Sequence, residues 1–308
     1  MVYDLVIIGG ASAGLSAAIY AARKKLNFIL LTDKVGGQSL LTDSIENYPG
    51  FVSISGPELV KKMEEQALAL GAEIKEKKLV KSVLKIDKIF EIETHDGEKY
   101  QTKTIIIASG KHPRPLNVPG EKELTGKGVS YCSICDAPLF QEVPVAVVGG
   151  GNSGLESATD SVPYASLIYV LEFGPKIIGD EETQEKLKKT GKVEFIVNAQ
   201  TLKVAGDKFV DGLVYKDRIS GEEKELKVKG IFVNVGQTPS AGFVKDFLEL
   251  NQQGEIAIDH KTNQTSVEGI FAAGDVTDIK YKQCVVAAAE GAKAALSAYN
   301  YLQKASRP

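Results

Sequence analysis

The chain has 308 residues, of which 43% are hydrophobic and 25% charged, as in a globular protein of about two domains. Its net charge of −3 and pI near 5.8 argue against nucleic acid or an anionic membrane as the main partner. The apolar runs are too short to span a bilayer, and residue 1 leads almost directly into a strand, so we expect a cytoplasmic protein without a signal peptide.

The first predicted unit is a strand, a glycine-rich turn and a helix. The strand YDLVII covers residues 3–8, and the turn GGASAG places Gly9 at the tight bend and Gly14 at the helix–strand crossing. Ala11 stands where a third glycine would let the backbone approach a pyrophosphate. The next strand ends at Asp33, whose carboxylate suits an adenosine ribose. The pattern predicts a dinucleotide site; the alternative is a glycine turn that binds nothing.

A CxxC motif follows in YCSICDAP, at residues 131–138. A zinc site would need four ligands, but Cys284 and three scattered histidines form no second ligand pair. A permanent disulfide suits a reducing cytosol poorly, which favours a redox-active pair of Cys132 and Cys135. Asp136 stands directly behind the pair, as a proton shuttle or as a helix cap. We expect Cys284 to be a small buried residue.

A second copy of the strand–turn–helix unit lies at VAVVGGGNSG, residues 145–154. Gly149, Gly151 and Gly154 occupy all three glycine positions, and the following strand, SLIYVLE, ends at Glu172. Two such units imply two nucleotide cofactors, and the common pair is a flavin and a nicotinamide.

A further strand near the C-terminus, in GIFAAGDVTD, precedes Gly274 and Asp275. A long helix is predicted from residue 280. The carboxylate suits a polyol chain, and the helix N-terminus suits an electron-rich ring; a capped helix is the alternative. The segments TIIIASG (104–110) and GIFVNVGQTP (230–239) are predicted to be a matched pair of strands, one in each nucleotide domain.

The ordered segments GGASAG, GGQSLLTDSIENYPG, TIIIASG, CSICD, GGGNSG and GIFAAGDVTD resemble the low-molecular-weight thioredoxin reductases over essentially the whole chain. From Glu172 onward the chain is more similar to the flavoprotein component of alkyl hydroperoxide reductase. The resemblance implies an α/β fold of two Rossmann-like dinucleotide-binding domains, with the nicotinamide domain inserted into a split FAD domain. The FAD domain would comprise residues 1–112 and 244–308, and the nicotinamide domain with the CxxC residues 113–243.

The same resemblance implies the site residues. The nicotinamide nucleotide would contact Gly149, Gly151, Asn152, Ser153 and Glu172. The family usually has Arg-Gln-Ala where this chain has Lys282, Gln283 and Cys284. The expected FAD contacts are Gly9, Ala11, Ser12, Gly14, Asp33, Gly37, Gln38, Asn47, Gly110, Gly274, Asp275, Lys282 and Gln283.

By resemblance, electrons would pass from a nicotinamide through FAD to the Cys132–Cys135 disulfide. Cys135 would lie nearer the flavin, Cys132 would attack the partner's disulfide, and Asp136 would move the proton. The partner would be a separate thioredoxin or glutaredoxin-like protein, because the chain begins at the flavin domain, and the enzyme would be a homodimer. The alternatives are the reductase component of a peroxidase system and a ferredoxin-dependent reductase. Flavin oxidases and ferredoxin–NADP reductases that share the scaffold lack the CxxC.

The residues after the strand that ends at Glu172 bear on the choice of nucleotide. Thioredoxin reductases commonly carry His-Arg-Arg there, whereas this chain has Glu172, Phe173 and Gly174, and we expect Lys176 to be the only nearby cation. A carboxylate accepts hydrogen bonds from the ribose hydroxyls of NADH and repels a 2′-phosphate. The sequence therefore predicts NADH in preference to NADPH.

Overall fold

The computed structural model describes residues 1–42 and 45–305, so part of the motif at 36–50 and the last residues of the segment 244–308 lie outside the described residues. The helices are α1 (Ser12–Arg23), α2 (Gly56–Ala69), α3 (Ser133–Asp136), α4 (Asn152–Ser161), α5 (Glu181–Lys189) and α6 (Cys284–Ala305). The strands are β1 (Val2–Ile8), β2 (Phe28–Leu31), β3 (Glu73–Lys75), β4 (Val80–Ile86), β5 (Ile89–Thr94), β6 (Lys99–Ile107), β7 (Lys111–Pro113), β8 (Val129–Ser130), β9 (Pro144–Val148), β10 (Leu167–Leu171), β11 (Val193–Ile196), β12 (Ala199–Gly206), β13 (Val210–Asp217), β14 (Glu223–Leu226), β15 (Gly230–Val233), β16 (Gln237–Pro239) and β17 (Ile270–Ala272).

The chain forms two compact units. One runs to His112 and resumes at Thr238, and the other is the segment Pro113–Gln237. The first unit therefore resumes before residue 244, the predicted start of its second part. The reason is local: Ser240 N donates to Gly110 O at 2.9 Å, and Ser109 Oγ donates to Ser240 O at 2.8 Å.

The first unit is built on one sheet with the order β3-β2-β1-β6-β5-β4, and β17 pairs with the end of β6. The pairs among β1, β2, β3, β6 and β17 are parallel, while β4, β5 and β6 pair antiparallel. In β1, Leu5 and Ile7 belong to one core cluster, and Val6 and Ile8 belong to the other. Burial on both faces explains why the strand is an unbroken apolar run.

The second unit repeats this plan. Its parallel sheet has the order β11-β10-β9-β15-β8, beside an antiparallel sheet of β12, β13 and β14. In β9, Val145 and Val147 belong to one core cluster, and Ala146 and Val148 belong to another. The central orders β3-β2-β1-β6 and β11-β10-β9-β15 match, which confirms the α/β fold with two Rossmann-like units.

The segment between β17 and α6 differs from the prediction. The helix begins at Cys284 rather than at residue 280, and a short 3₁₀ turn, Gly274–Val276, follows β17. The intervening backbone bonds elsewhere: Thr277 N donates to Gly274 O at 3.0 Å, and Asp278 N to Ile256 O at 3.1 Å. No helix within residues 1–42 and 45–305 has both the length and the apolarity to cross a membrane.

Candidate active site

The first glycine turn connects β1 to α1 and leaves no room for a side chain at Gly9 or Gly14. Gly9 has φ +110°, and a Cβ there would lie 2.2 Å from Ala108 O. A Cβ at Gly14 would lie 1.8 Å from Gly9 O, so the helix crosses the strand in van der Waals contact with it. Since both positions exclude a methyl group, the turn brings the N-terminus of α1 directly to the end of β1.

This turn fits the phosphates of a dinucleotide. Ala11 is the N-cap of α1, and its methyl group cannot accept a hydrogen bond from the first N–H groups of the helix. Ser12 is 3% exposed, and its Oγ has no hydrogen-bond partner within the described residues. A buried hydroxyl and a helix N-terminus together form a donor set that suits an anion.

The other predicted flavin contacts fall into small groups around the first unit. Asp33 is exposed just beyond β2, and Gly37, with φ +55°, opens the 3₁₀ turn Gly37–Leu41. Gln38 donates through Nε2 to the carbonyl of Lys111, next to Gly110. Asn47 Nδ2 donates to Gln283 Oε1 at 3.2 Å. Two pairs of segments that are far apart in sequence are therefore brought together.

Asp275 and Lys282 belong to a charged cluster that the sequence did not reveal. Glu255 Oε1 lies 2.6 Å from Lys111 Nζ and 3.1 Å from Lys282 Nζ. Burial raises the pKa of Asp275, and burial followed by the charge of Lys111 lowers the pKa of Lys282. Lys282 is also bonded to the carbonyl of Thr277, so it holds the loop after Asp275. No motif marks Glu255 or Lys111.

The second glycine turn, between β9 and α4, has the same geometry. Gly149 has φ +119°, and a Cβ there would lie 2.3 Å from Asn234 O, while a Cβ at Gly154 would lie 1.8 Å from Gly149 O. Gly151 is the N-cap of α4, and its Cβ position has open space around it. Asn152 and Ser153 are exposed in the first turn of the helix.

Glu172 lies just beyond β10 and is bonded to the protein backbone. Its Oε2 accepts from Gly150 N at 2.7 Å, and its Oε1 accepts from Gly174 N at 2.8 Å. The carboxylate therefore ties the glycine turn to the loop after β10. Each carboxylate oxygen has a further lone pair, so these bonds leave acceptor capacity for a ribose hydroxyl.

Arg218 is a second cation beside this loop, which corrects the interpretation that only Lys176 lies near. Its guanidinium carbon is 3.9 Å from the centre of the Phe173 ring, and its Nη1 donates to Phe173 O at 2.9 Å. Arg218 N donates in turn to Asn198 O, and Asn198 N to Gly174 O. Because Arg218 follows β13, far along the chain, the sequence gives no signal of this contact.

Cys132 and Cys135 form a disulfide with Cα atoms 5.4 Å apart, at the short helix α3. Asp136, 9% exposed, ends that helix and accepts a hydrogen bond from Ser130 Oγ at 2.5 Å. The same Ser130 Oγ accepts from Cys132 N at 3.0 Å. Asp136 is therefore held against the CxxC turn by a serine that precedes it. It stands at the N-cap position of the 3₁₀ turn Ala137–Leu139, but its side chain makes no cap hydrogen bond to that turn.

The third cysteine is not part of this centre. Cys284, at the start of α6, is half-buried rather than buried as expected, and its Sγ lies 3.3 Å from Ser39 Oγ. No group of three or more His, Cys, Asp or Glu side chains suitable for a metal ion occurs in residues 1–42 and 45–305.

Residues 3–291 match the family model of the pyridine nucleotide-disulphide oxidoreductases. The chain belongs to this family. One curated relative is a Bacillus subtilis protein named NADH dehydrogenase, 42% identical over 97% of this chain. Another is a component of the alkyl hydroperoxide reductase of Pseudomonas aeruginosa, 42% identical over 99% of this chain. The alignments cover 58% and 59% of those relatives, so the chain spans about three-fifths of their length.

Solved structures of thioredoxin reductases match the chain over nearly its whole length. Thioredoxin reductase from Streptococcus pyogenes has a TM-score of 0.93 at 35% identity, covering 98% of this chain and 99% of that chain. Thioredoxin reductase from Giardia duodenalis has a TM-score of 0.90 at 34% identity, with the same coverage. The resemblance drawn from the motifs is thus confirmed.

Proposed function

We propose that the chain is a thioredoxin-disulfide reductase-like flavoenzyme, acting in the cytoplasm as a homodimer. It passes electrons from NADH through FAD and the Cys132–Cys135 disulfide to a thioredoxin or glutaredoxin-like protein. The observation that carries the proposal is the Cys132–Cys135 disulfide in the same compact unit as a complete glycine turn. The thioredoxin reductases of similar structure support it.

The first unit is proposed to bind FAD and the second the nicotinamide nucleotide. The buried Ser12 hydroxyl and the uncapped start of α1 would hold the FAD pyrophosphate, and Asp275 would hold its polyol chain. Bound FAD supplies the carrier that takes a hydride from the nicotinamide and releases two electrons to the disulfide. Asn152 and Ser153 would meet the nucleotide phosphates at the start of α4.

In the disulfide centre, Cys132 is proposed to attack the partner and Cys135 to face the flavin. Asp136 is proposed to hold and return the proton that the thiols exchange. Ser130 fixes the carboxylate for this task, since its hydroxyl donates to Asp136 and also receives the Cys132 N–H. One serine thus ties the acid to the backbone of the attacking cysteine.

A second candidate function is electron donor to a peroxidase system, directly or through a small carrier. The relatives named as components of alkyl hydroperoxide reductase favour it. Both candidates use the same flavin and disulfide, and they differ only in the protein that receives the electrons.

The purified protein should be yellow and contain one FAD per chain, because the first unit has a dinucleotide turn with a free donor set. The measurement is flavin release followed by chromatographic identification. FMN, or no flavin after reconstitution, would contradict the assignment.

A matched pair of glycine variants assigns the two turns. Gly9→Ala should lose FAD, since the new methyl would lie 2.2 Å from Ala108 O. Gly149→Ala makes an equally close contact, 2.3 Å from Asn234 O, yet should keep FAD and lose reduction by the nucleotide. Loss of FAD from both variants would remove the assignment of the two turns, and loss of FAD from Gly149→Ala alone would reverse it.

Cys135→Ser should trap the physiological partner, because Cys132 remains free to attack and the mixed disulfide has no resolving thiol. The experiment incubates this variant with candidate thioredoxin-fold proteins and with a peroxidase, then separates the products without reductant. A stable adduct with a thioredoxin-fold carrier supports the leading proposal, and an adduct with the peroxidase alone supports the second. Trapping only by Cys132→Ser would reverse the roles of the two cysteines.

A further inference from the structure

We propose that Asp160 is a positioning residue that acts through Ser133 to lower the reduction potential of the Cys132–Cys135 disulfide. The inference rests on the proposed function, since it concerns how readily that disulfide gives its electrons to a partner. Asp160 lies in α4, outside the residues predicted for the site.

Asp160 contacts the disulfide turn through Ser133, one residue away from Cys132 in sequence. Ser133, which directly follows Cys132, is buried, and its Oγ donates to Asp160 Oδ2 at 2.7 Å. Burial raises the pKa of Asp160, and the Ser133 hydrogen bond opposes that rise. The helix that carries Asp160 begins at Asn152, at the proposed nucleotide turn. One helix thus joins that turn to the disulfide.

Two carboxylates are therefore hydrogen-bonded to serines at the CxxC turn. Asp136 is fixed by Ser130, and Asp160 is fixed by Ser133. Asp160 appears in no ion pair among the residues that the structure describes. Its negative charge is accordingly not neutralised by a salt bridge at the CxxC turn.

The effect on the disulfide follows from charge. Reduction breaks the S–S bond and adds two electrons, supplied by the flavin, and two protons, giving two thiols; loss of one proton then gives a thiolate. A nearby positive environment stabilises the thiolate and makes the disulfide a stronger oxidant. A carboxylate does the opposite, because it repels the thiolate and so favours the oxidised state. A lower potential suits an enzyme that must hand electrons onward.

The test is a redox titration of the oxidised holoenzyme against mixtures of reduced and oxidised dithiothreitol, scored by alkylation of free thiols and intact mass. Asp160→Asn should shift the equilibrium toward the dithiol by about tenfold, which is about 30 mV for a two-electron couple. Glu156→Gln removes the same charge from an exposed position one turn earlier on α4 and should leave the equilibrium at the wild-type value.

Ser133→Ala provides the second arm and serves if Asp160→Asn does not fold. It should shift the equilibrium in the same direction in the wild type, because the Asp160 carboxylate loses the hydrogen bond that holds it against the CxxC turn. It should add nothing in Asp160→Asn, where no negative charge remains to be held. An unchanged equilibrium in Asp160→Asn, an equal shift in Glu156→Gln, or additive effects would overturn the inference. The titration uses a chemical dithiol, so its failure is separate from failure of NADH to reduce the disulfide, which would instead refute the proposed function.

Discussion

Cys132→Ser and Cys135→Ser should each abolish reduction of a protein disulfide, while the nucleotide should still reduce the flavin at the wild-type rate. Hydride transfer to the flavin uses no thiol, whereas thiol–disulfide exchange needs one sulfur to attack and another to resolve the mixed disulfide. The two activities are measured separately, as loss of flavin absorbance under anaerobic conditions and as thiols formed in the partner.

Cys284→Ser is the matched control, since it makes the same atomic change at a half-buried cysteine outside the disulfide. It should retain both activities. A double variant of Cys132 and Cys135 that still reduces a protein disulfide at the wild-type rate would remove the disulfide from the proposed pathway. Loss of activity in Cys284→Ser, with FAD still bound, would add a third thiol to it.

Much of the fold was predictable because it is encoded locally. The runs of β1 and β9 are apolar at every position because both faces of each strand are buried. The glycine turns are equally local, since Gly14 and Gly154 each meet the backbone of a glycine five positions earlier. The start of α6 was not predictable, because the extended segment before it is held by Ile256 from a distant loop.

The contacts that tune the site could not be predicted from the sequence, for a related reason. Arg218 reaches Phe173, and Asp160 reaches Ser133, through pairings between segments that no periodicity connects. Glu255 meets Lys111 and Lys282 only because the chain returns to the first unit. A motif identifies residues that need a particular backbone conformation or a particular reactive atom. Arg218, Asp160 and Glu255 need neither, so no motif marks them.

NADH should reduce the flavin with a kcat/KM about 100-fold above that of NADPH. The 2′-phosphate of NADPH carries nearly two negative charges, and Glu172 would face it from the end of β10. That carboxylate is held in place by Gly150 N and Gly174 N, so it cannot swing away without breaking two hydrogen bonds. A 100-fold ratio of kcat/KM corresponds to about 3 kcal/mol of discrimination against NADPH, which a fixed repulsive charge can supply.

Arg218 should limit the size of this preference, because its guanidinium lies against Phe173, next to Glu172. Two variants should therefore move the ratio in opposite directions: Glu172→Gln should narrow it by removing the repulsive charge, and Arg218→Gln should widen it by removing the nearby cation. Both are measured by anaerobic reduction of the flavin with each nucleotide, with FAD content as the control for folding. Equal or faster reduction of the wild type by NADPH would contradict the selectivity. Reduction by neither nucleotide would favour ferredoxin as the donor. If both variants shift the NADH-to-NADPH ratio in the same direction, they act by loosening the loop after β10 rather than by charge.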